Sequence, residues 1–259
     1  MIIKTKKELE GMKAAGKAVA ITLKKMVDFA QIGMTTKEID DYGKSVLDSF
    51  GAHSAPYRDY KFPGTSCISI NNEVCHGIPS DKTILKNGDL VNIDVSAELH
   101  GFYGDNGCSF ILGDDIHGHQ KLVRASLEIL HECMDAISTG VRIAMVGGTM
   151  EKGAKTRGFT TIRNICGHGI GYRLHEDPRE VPCFRDRWNR EKLKKNTVIA
   201  LETFISTKAK FVHEAKDGWT LKTKDKSFVA QHEHTLVVTD DYPIILTEEN
   251  GIAELFQSF

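Results

Sequence analysis

Asp89-Leu90-Val91-Asn92-Ile93-Asp94-Val95-Ser96 alternates between apolar and polar side chains from Val91 onward. A period of two is the signature of a strand. It puts Val91, Ile93 and Val95 on one face and Asn92, Asp94 and Ser96 on the other. Asp94 therefore sits mid-strand, where aspartate is disfavoured. Asn87-Gly88 just before is a turn signal. Asp89 to Glu98 and Gly101 to Leu112 then read as two strands around a tight connection. With the turn centred on Leu99-His100, Asp94 faces Asp105 of Gly104-Asp105-Asn106 across a hairpin. Directly opposed residues lie about 4.5–5.5 Å apart at Cβ. Two like charges at that spacing repel, and a cation between them would offset the repulsion. A turn displaced by one residue, or Asp105 capping a loop, reads equally well from this segment alone.

Further acids lie in similar surroundings. Glu202 is mid-run in Val198-Ile199-Ala200-Leu201-Glu202-Thr203-Phe204-Ile205, and Glu233 lies in Val229-Ala230-Gln231-His232-Glu233-His234-Thr235. A glutamate in so apolar a run is paired or ligating if it is buried. Four such acids carry four negative charges, which two divalent cations would neutralise. Otherwise the cluster could be buried only by holding protons at raised pKa. His168, in Cys166-Gly167-His168-Gly169-Ile170-Gly171, is the candidate nitrogen ligand. Its glycines free the backbone to bring an imidazole close to a buried site, although a flexible glycine turn with an incidental histidine also fits. His232 and His234 share the face opposite Glu233 and could serve a mononuclear zinc site. That alternative leaves Asp94, Asp105 and Glu202 without a role, and packing or surface placement accounts for the two histidines as well.

Before and after these strands the period changes. Residues from about Lys6 to Phe50 read as helical, with Leu9, Met12, Ala15, Val19, Leu23, Met26 and Val27 near a 3.6-residue period over Lys7 to Phe29. Gly33-Met34-Thr35-Thr36 interrupts them, and Thr36 reads as the N-cap of a second helix with Ile39, Tyr42, Val46 and Leu47 on one face. Ser66 to Asn71 is a short alternating strand. A second helical pair falls near Gly118 to Ser138 and Ala144 to Arg157, followed by strands near Thr197 to Ser206 and Lys226 to Val238. Helices then strands, twice over, suggests two similar halves. No low-complexity or Pro/Ser-rich linker divides them, so residues 1–259 read as a single α+β domain.

Composition sets the remaining bounds. Hydrophobic residues make up 41% and charged residues 27%, ordinary for a soluble globular protein. A formal net charge of -1 does not point to nucleic acid or an anionic membrane as the main partner. None of the six cysteines forms a C-x-x-C pair, which argues against a zinc knuckle. No apolar stretch of signal-peptide or transmembrane length is present. A reducing, cytoplasmic compartment with free thiols is the expectation.

These residues give the sequence a family likeness. Asn72-Glu73-Val74-Cys75-His76-Gly77-Ile78-Pro79, Gly88 to Val95, Gly104-Asp105, Gly167 to Gly171, His175-Glu176-Asp177-Pro178, Glu202 and Gln231 to Thr235 run in order over nearly the whole chain. Together they resemble the short bacterial form of the type I methionine aminopeptidases. The resemblance implies the pita-bread fold: two pseudo-symmetric αβ halves with a central antiparallel sheet backed by helices. It implies that Asp94 chelates one metal, that His168 and Glu202 bind the other, and that Asp105 and Glu233 bridge both. The cofactor would be two divalent ions, with cobalt, manganese, iron and zinc all suited to the donor set. A metal-bridging water or hydroxide would attack the first peptide bond. Glu202 would shuttle its proton, His76 would stand near the scissile nitrogen, and His175 near the carbonyl oxygen. Phe62, Cys67 and Trp219 would wall the methionine pocket. The implied substrates are N-termini of nascent polypeptides, met at the ribosome, with no nucleic-acid or membrane role and a monomeric chain. Asn106, Thr203, Asp59 and Leu174 depart from the family pattern and put pocket shape in question. An X-Pro aminopeptidase or dipeptidase, or an inactive binding protein on the same fold, is the competing reading.

Overall fold

Reciprocal capping starts the first half of the protein. Thr5 accepts from the Glu8 amide at 3.2 Å while Glu8 accepts the Thr5 amide at 2.8 Å, which begins α1 (Lys6–Phe29). The same box at Thr35 and Glu38 begins α2 (Thr36–Phe50). The N-cap is thus Thr35 and not Thr36, because Glu38 is three residues beyond Thr35 and closes the box there. Thr36 is the first helical residue. Its hydroxyl is buried and accepts the Ser80 amide at 2.9 Å. Gly51, at φ 71°, takes the left-handed position that ends α2.

The computed structural model describes residues 1–252. After α2 the first half continues with β1 (His53–Ser54), α3 (Ala55–Tyr60), β2 (Cys67–Ile70), β3 (Glu73–Cys75), β4 (Leu90–Leu99) and β5 (Phe102–Ile111). The second half repeats the order: α4 (Gln120–Asp135) and α5 (Ile143–Thr156), then β6 (Thr160–Thr161), β7 (Cys166–Gly169), β8 (Glu176–Pro182), β9 (Val198–Ser206), β10 (Val212–Glu214), β11 (Leu221–Thr223), β12 (Val229–Val237) and β13 (Ile244–Ile245). The doubled order expected from the sequence is present. The glycine-rich Cys166–Gly169 is a strand and not the flexible turn that its glycines also allowed, and α3 is too short to show a period.

Two long antiparallel pairs form the centre, β4 with β5 and β9 with β12. The β4–β5 register corrects one expectation. Asp94 pairs with Gly107, and Asp105 pairs with Ser96. The turn is His100-Gly101, with φ 52° and 87°. A two-residue hairpin with positive φ at both positions favours glycine second, which selects Gly101. The shift is two residues, so both aspartates keep a common face and become diagonal neighbours. Glu202 is directly opposite Glu233 in the other pair.

Each pair is covered on one face by two helices. Val91, Ile93 and Val95 pack with Val19, Leu23, Met26, Ile39 and Leu47 of α1 and α2. Ile199, Leu201 and Leu236 pack with Val123, Leu130 and Met150 of α4 and α5. Between the halves, the Thr235 hydroxyl accepts the Asp105 amide at 2.9 Å and donates to the Asp105 carbonyl at 2.7 Å. Ser109 accepts the Gln231 amide at 2.9 Å. These bonds bring the two helix-free, polar sheet faces together.

Candidate metal centre

Strand alternation delivers the ligand-type side chains. Asp94 and Asp105 come from the polar face of β4 and β5, and Glu202 and Glu233 from the matching face of β9 and β12. His168 pairs with Ala200, two residues before Glu202, so its imidazole joins the same face. All five line one cavity of about 450 Å³. Ligand atoms of Asp105, His168 and Glu233 lie within 4.8 Å of one another, and His168 Nε2 is 3.7 Å from Asp105 Oδ2.

The electrostatics of this cluster call for cations. Asp105 Oδ1, Asp94 Oδ1 and Glu233 Oε1 are buried with no hydrogen-bond partner. Burial, then the facing carboxylates Glu233 and Asp94, pushes the Asp105 carboxyl well up. Burial raises Asp94 to about 6. Glu202 and Glu233 are likewise pushed up, first by burial and then by neighbouring acids. Burial, assisted by His175, lowers His168 to about 3, so its imidazole is neutral. Its Nδ1 lies 3.0 Å from the Gly169 carbonyl. Donation there leaves the Nε2 lone pair free to ligate. Partnerless buried oxygens beside a neutral imidazole fit divalent cations. Outside the ligand set, Asn92 donates to Gln231 at 2.8 Å and Gln231 donates to Glu233 at 3.0 Å, which orients that carboxylate.

The residues expected to serve substrate gather around the acids. Phe62, Cys67, Trp219, His76 and His175 all line the cavity. Phe62 and Trp219 meet edge to face, with centroids 5.3 Å apart and an 85° interplanar angle. Cys67 is opposite Asp94 across β2 and β4. His76 has a left-handed backbone, φ 55°, and is an exposed residue that lines the cavity. Partial desolvation of its ring, with His175 adding to it, lowers its pKa. The ring centroids of His175 and His168 are 4.1 Å apart.

Several departures from the family pattern lie away from the cavity. Asp59 accepts from the Tyr103 hydroxyl at 3.0 Å. Asn106 donates to the Glu233 carbonyl from the other side of β5. The Thr203 hydroxyl is 2.7 Å from Ser126 of α4. Only Leu174 of the four lines the cavity. His232 and His234 lie on the face opposite Glu233 and are buried, not surface groups. His234 Nδ1 is 2.8 Å from the Thr247 hydroxyl, and neither histidine belongs to the ligand-type group found among the described residues. Sequence reasoning missed Tyr60, whose hydroxyl lies 2.6 Å from His175 Nδ1. No sequence signal marks it, because the two residues are 115 positions apart. The Gln231 link to Glu233 was visible as an i, i+2 pair on one strand face.

Comparison with known proteins follows the same lines. The profile of metallopeptidase family M24 matches residues 10–240. "Methionine aminopeptidase 2" of Bacillus subtilis is 49% identical over 248 residues, 96% of this chain and 100% of that protein. The crystal structure of a methionine aminopeptidase from Thermotoga maritima superposes with a TM-score of 0.90 at 35% identity, covering 95% of this chain and 99% of that one. A prolidase from Pyrococcus furiosus shares the fold, with a TM-score of 0.77 at 20% identity, and this chain spans 65% of its length.

Proposed function

The chain belongs to metallopeptidase family M24, and from that premise we propose that it is a metal-dependent methionine aminopeptidase acting on the free N-termini of peptides and nascent proteins. The observation that carries this reading is the convergence of Asp94, Asp105, His168, Glu202 and Glu233, with partnerless carboxylate oxygens, in one substrate-sized cavity. These five would hold two divalent cations, with cobalt, manganese, iron and zinc all compatible. When bound, the cations supply acidification of a water and polarisation of the scissile carbonyl.

The chain's own side chains do the rest. Phe62, Cys67, Leu174 and Trp219 exclude water from the thioether of the first residue. His175 donates to the carbonyl oxygen as charge builds there, and His76 faces the scissile nitrogen. Glu202 carries the proton from the attacking water toward the leaving amine. Residues 1–259 act as a single catalytic domain, as a monomer in the cytoplasm, where nascent chains leave the ribosome. No helix among the described residues is long and apolar enough to cross a membrane.

Relatives of methionine aminopeptidase name at high identity support this over an X-Pro enzyme, for which the likeness is one of fold. An inactive binding protein is disfavoured because all five ligand-type side chains are present and line one cavity. Incubation with Met-Ala-Ser and with a proline-containing peptide, with and without EDTA, tests the reading. Methionine release from Met-Ala-Ser that EDTA stops is the expected result. Absence of metal-dependent methionine release overturns it.

A further inference from the structure

The end of α3 is tied down at three successive residues. Arg58 pairs with Glu98 of β4. Asp59 accepts from Tyr103 of β5 at 3.0 Å. Tyr60 places its hydroxyl 2.6 Å from Nδ1 of His175, with the two rings 5.5 Å apart in an edge arrangement. Lys61, at φ 62°, ends the helix, and Phe62 then enters the cavity. One rigid turn therefore aims a phenol at His175 from one half of the fold, while His175 itself belongs to the other half.

We propose that Tyr60 is a positioning residue that fixes His175 as the Nε2–H tautomer, leaving that N–H to donate into the cavity. The proposal deepens the aminopeptidase reading and rests on it for the role of His175. Its chemical basis is the asymmetry of the pair. A phenol is a stronger hydrogen-bond donor than a neutral imidazole N–H, and an imidazole nitrogen is a stronger acceptor than a phenol oxygen. Burial and the neighbouring Asp59 carboxylate keep the Tyr60 phenol protonated by raising its pKa. The phenol proton therefore goes to Nδ1, and the single proton of a neutral ring sits on Nε2. Without Tyr60 the ring is free to place its proton on Nδ1 or to turn. Either change removes a donor from the oxygen that gains charge when the peptide bond is attacked.

The test pairs a spectroscopic readout with kinetics. In protein labelled with 15N-histidine, His175 is assigned through the loss of its signals in His175→Gln. The expected wild-type pattern is an unprotonated Nδ1 and a protonated Nε2, with Tyr60→Phe shifting toward a mixture of tautomers. Tyr60→Phe should lower kcat by about 10- to 100-fold with KM changed less than about threefold, less than the roughly 100- to 1,000-fold of losing an oxyanion donor outright because His175 itself remains. Thermal melting and metal content of the variant show whether it folds. In a His175→Gln background, adding Tyr60→Phe should have no further effect, because Tyr60 acts through His175. A wild-type Nδ1–H tautomer, an unchanged kcat in Tyr60→Phe, or an equal loss in both backgrounds overturns the proposal. The tautomer is read without turnover, so a protein that releases no methionine defeats the aminopeptidase reading and leaves the Tyr60–His175 result separately decided.

Discussion

At the residue scale, the buried carboxylates show how burial and mutual repulsion create a need for cations. Asp105, Glu202 and Glu233 are raised well above the carboxylate range and Asp94 to about 6, so without cations the cluster carries protons. A bound cation favours the ionised form and displaces them. Metal loading at pH 6 should therefore release protons, read as a dependence of the calorimetric heat on buffer ionisation enthalpy. No such dependence would show that the acids are already ionised. The sign also sets the acid limb. As pH falls through the raised values protons compete with metal, so metal affinity should fall more steeply below pH 6 than unperturbed carboxylates near 4 would give. Asp94→Ala or Glu233→Ala should abolish activity and lower the metal-to-protein ratio measured by elemental analysis. Full turnover in either variant would mean the ligand set is wrong.

At the element scale, the strands deliver the ligands and the helices hold the strands in place. Asp40 of α2 is buried, and it accepts from the Ser66 amide at 2.8 Å and the Ser66 hydroxyl at 2.7 Å just before Cys67. It ties α2 to the loop that carries the pocket wall. Burial, partly offset by these bonds, raises its pKa. Asp40→Ala leaves the Ser66 amide without that partner and should cost about 1–3 kcal/mol in urea unfolding. The aminopeptidase KM should rise because the Phe62 to Cys67 segment loses its anchor. Leu23→Ala in α1 tests the packing alone. It should cost about 2–5 kcal/mol of stability with KM unchanged, since Leu23 lies behind the sheet.

At the scale of the whole molecule, the active cavity exists because two halves meet. Thr235 makes both bonds to the Asp105 backbone across that seam. Thr235→Val keeps the shape and removes both partners. It should destabilise by about 1–3 kcal/mol and weaken metal binding, measured by competition with a chelating dye. Unchanged metal affinity would show that the seam does not set the ligand spacing. Acid stability has a second source behind the sheet. Burial lowers His232 and His234 to about 3, below the ordinary imidazole value of about 6.5. Lowered histidines contribute stability that is present above pH 6.5 and lost as pH falls below it. The metal-loaded protein should therefore melt at progressively lower temperature from pH 7 to pH 5.

Sequence alone determined the polar faces that carry Asp94 and Glu233, because a period of two needs only local information, while Glu202 stood out as an acid in an apolar run and His168 by its glycine neighbours. Asp94 among Asn92 and Ser96, and Glu233 among Gln231 and Thr235, were legible in that way, as was the order of helices and strands. The β4–β5 register was not, since it depends on which two residues accept positive φ in the turn. Nor was the facing of Glu202 and Glu233, which β10 and β11 separate in the chain. Asp59, Asn106 and Thr203 were suspected of reshaping the pocket, and only the folded chain shows them turned toward Tyr103, the Glu233 carbonyl and Ser126. Tyr60 against His175 was likewise decided by tertiary structure. Local periodicity fixes where a side chain points relative to its own strand, and the packing of distant segments fixes what it meets.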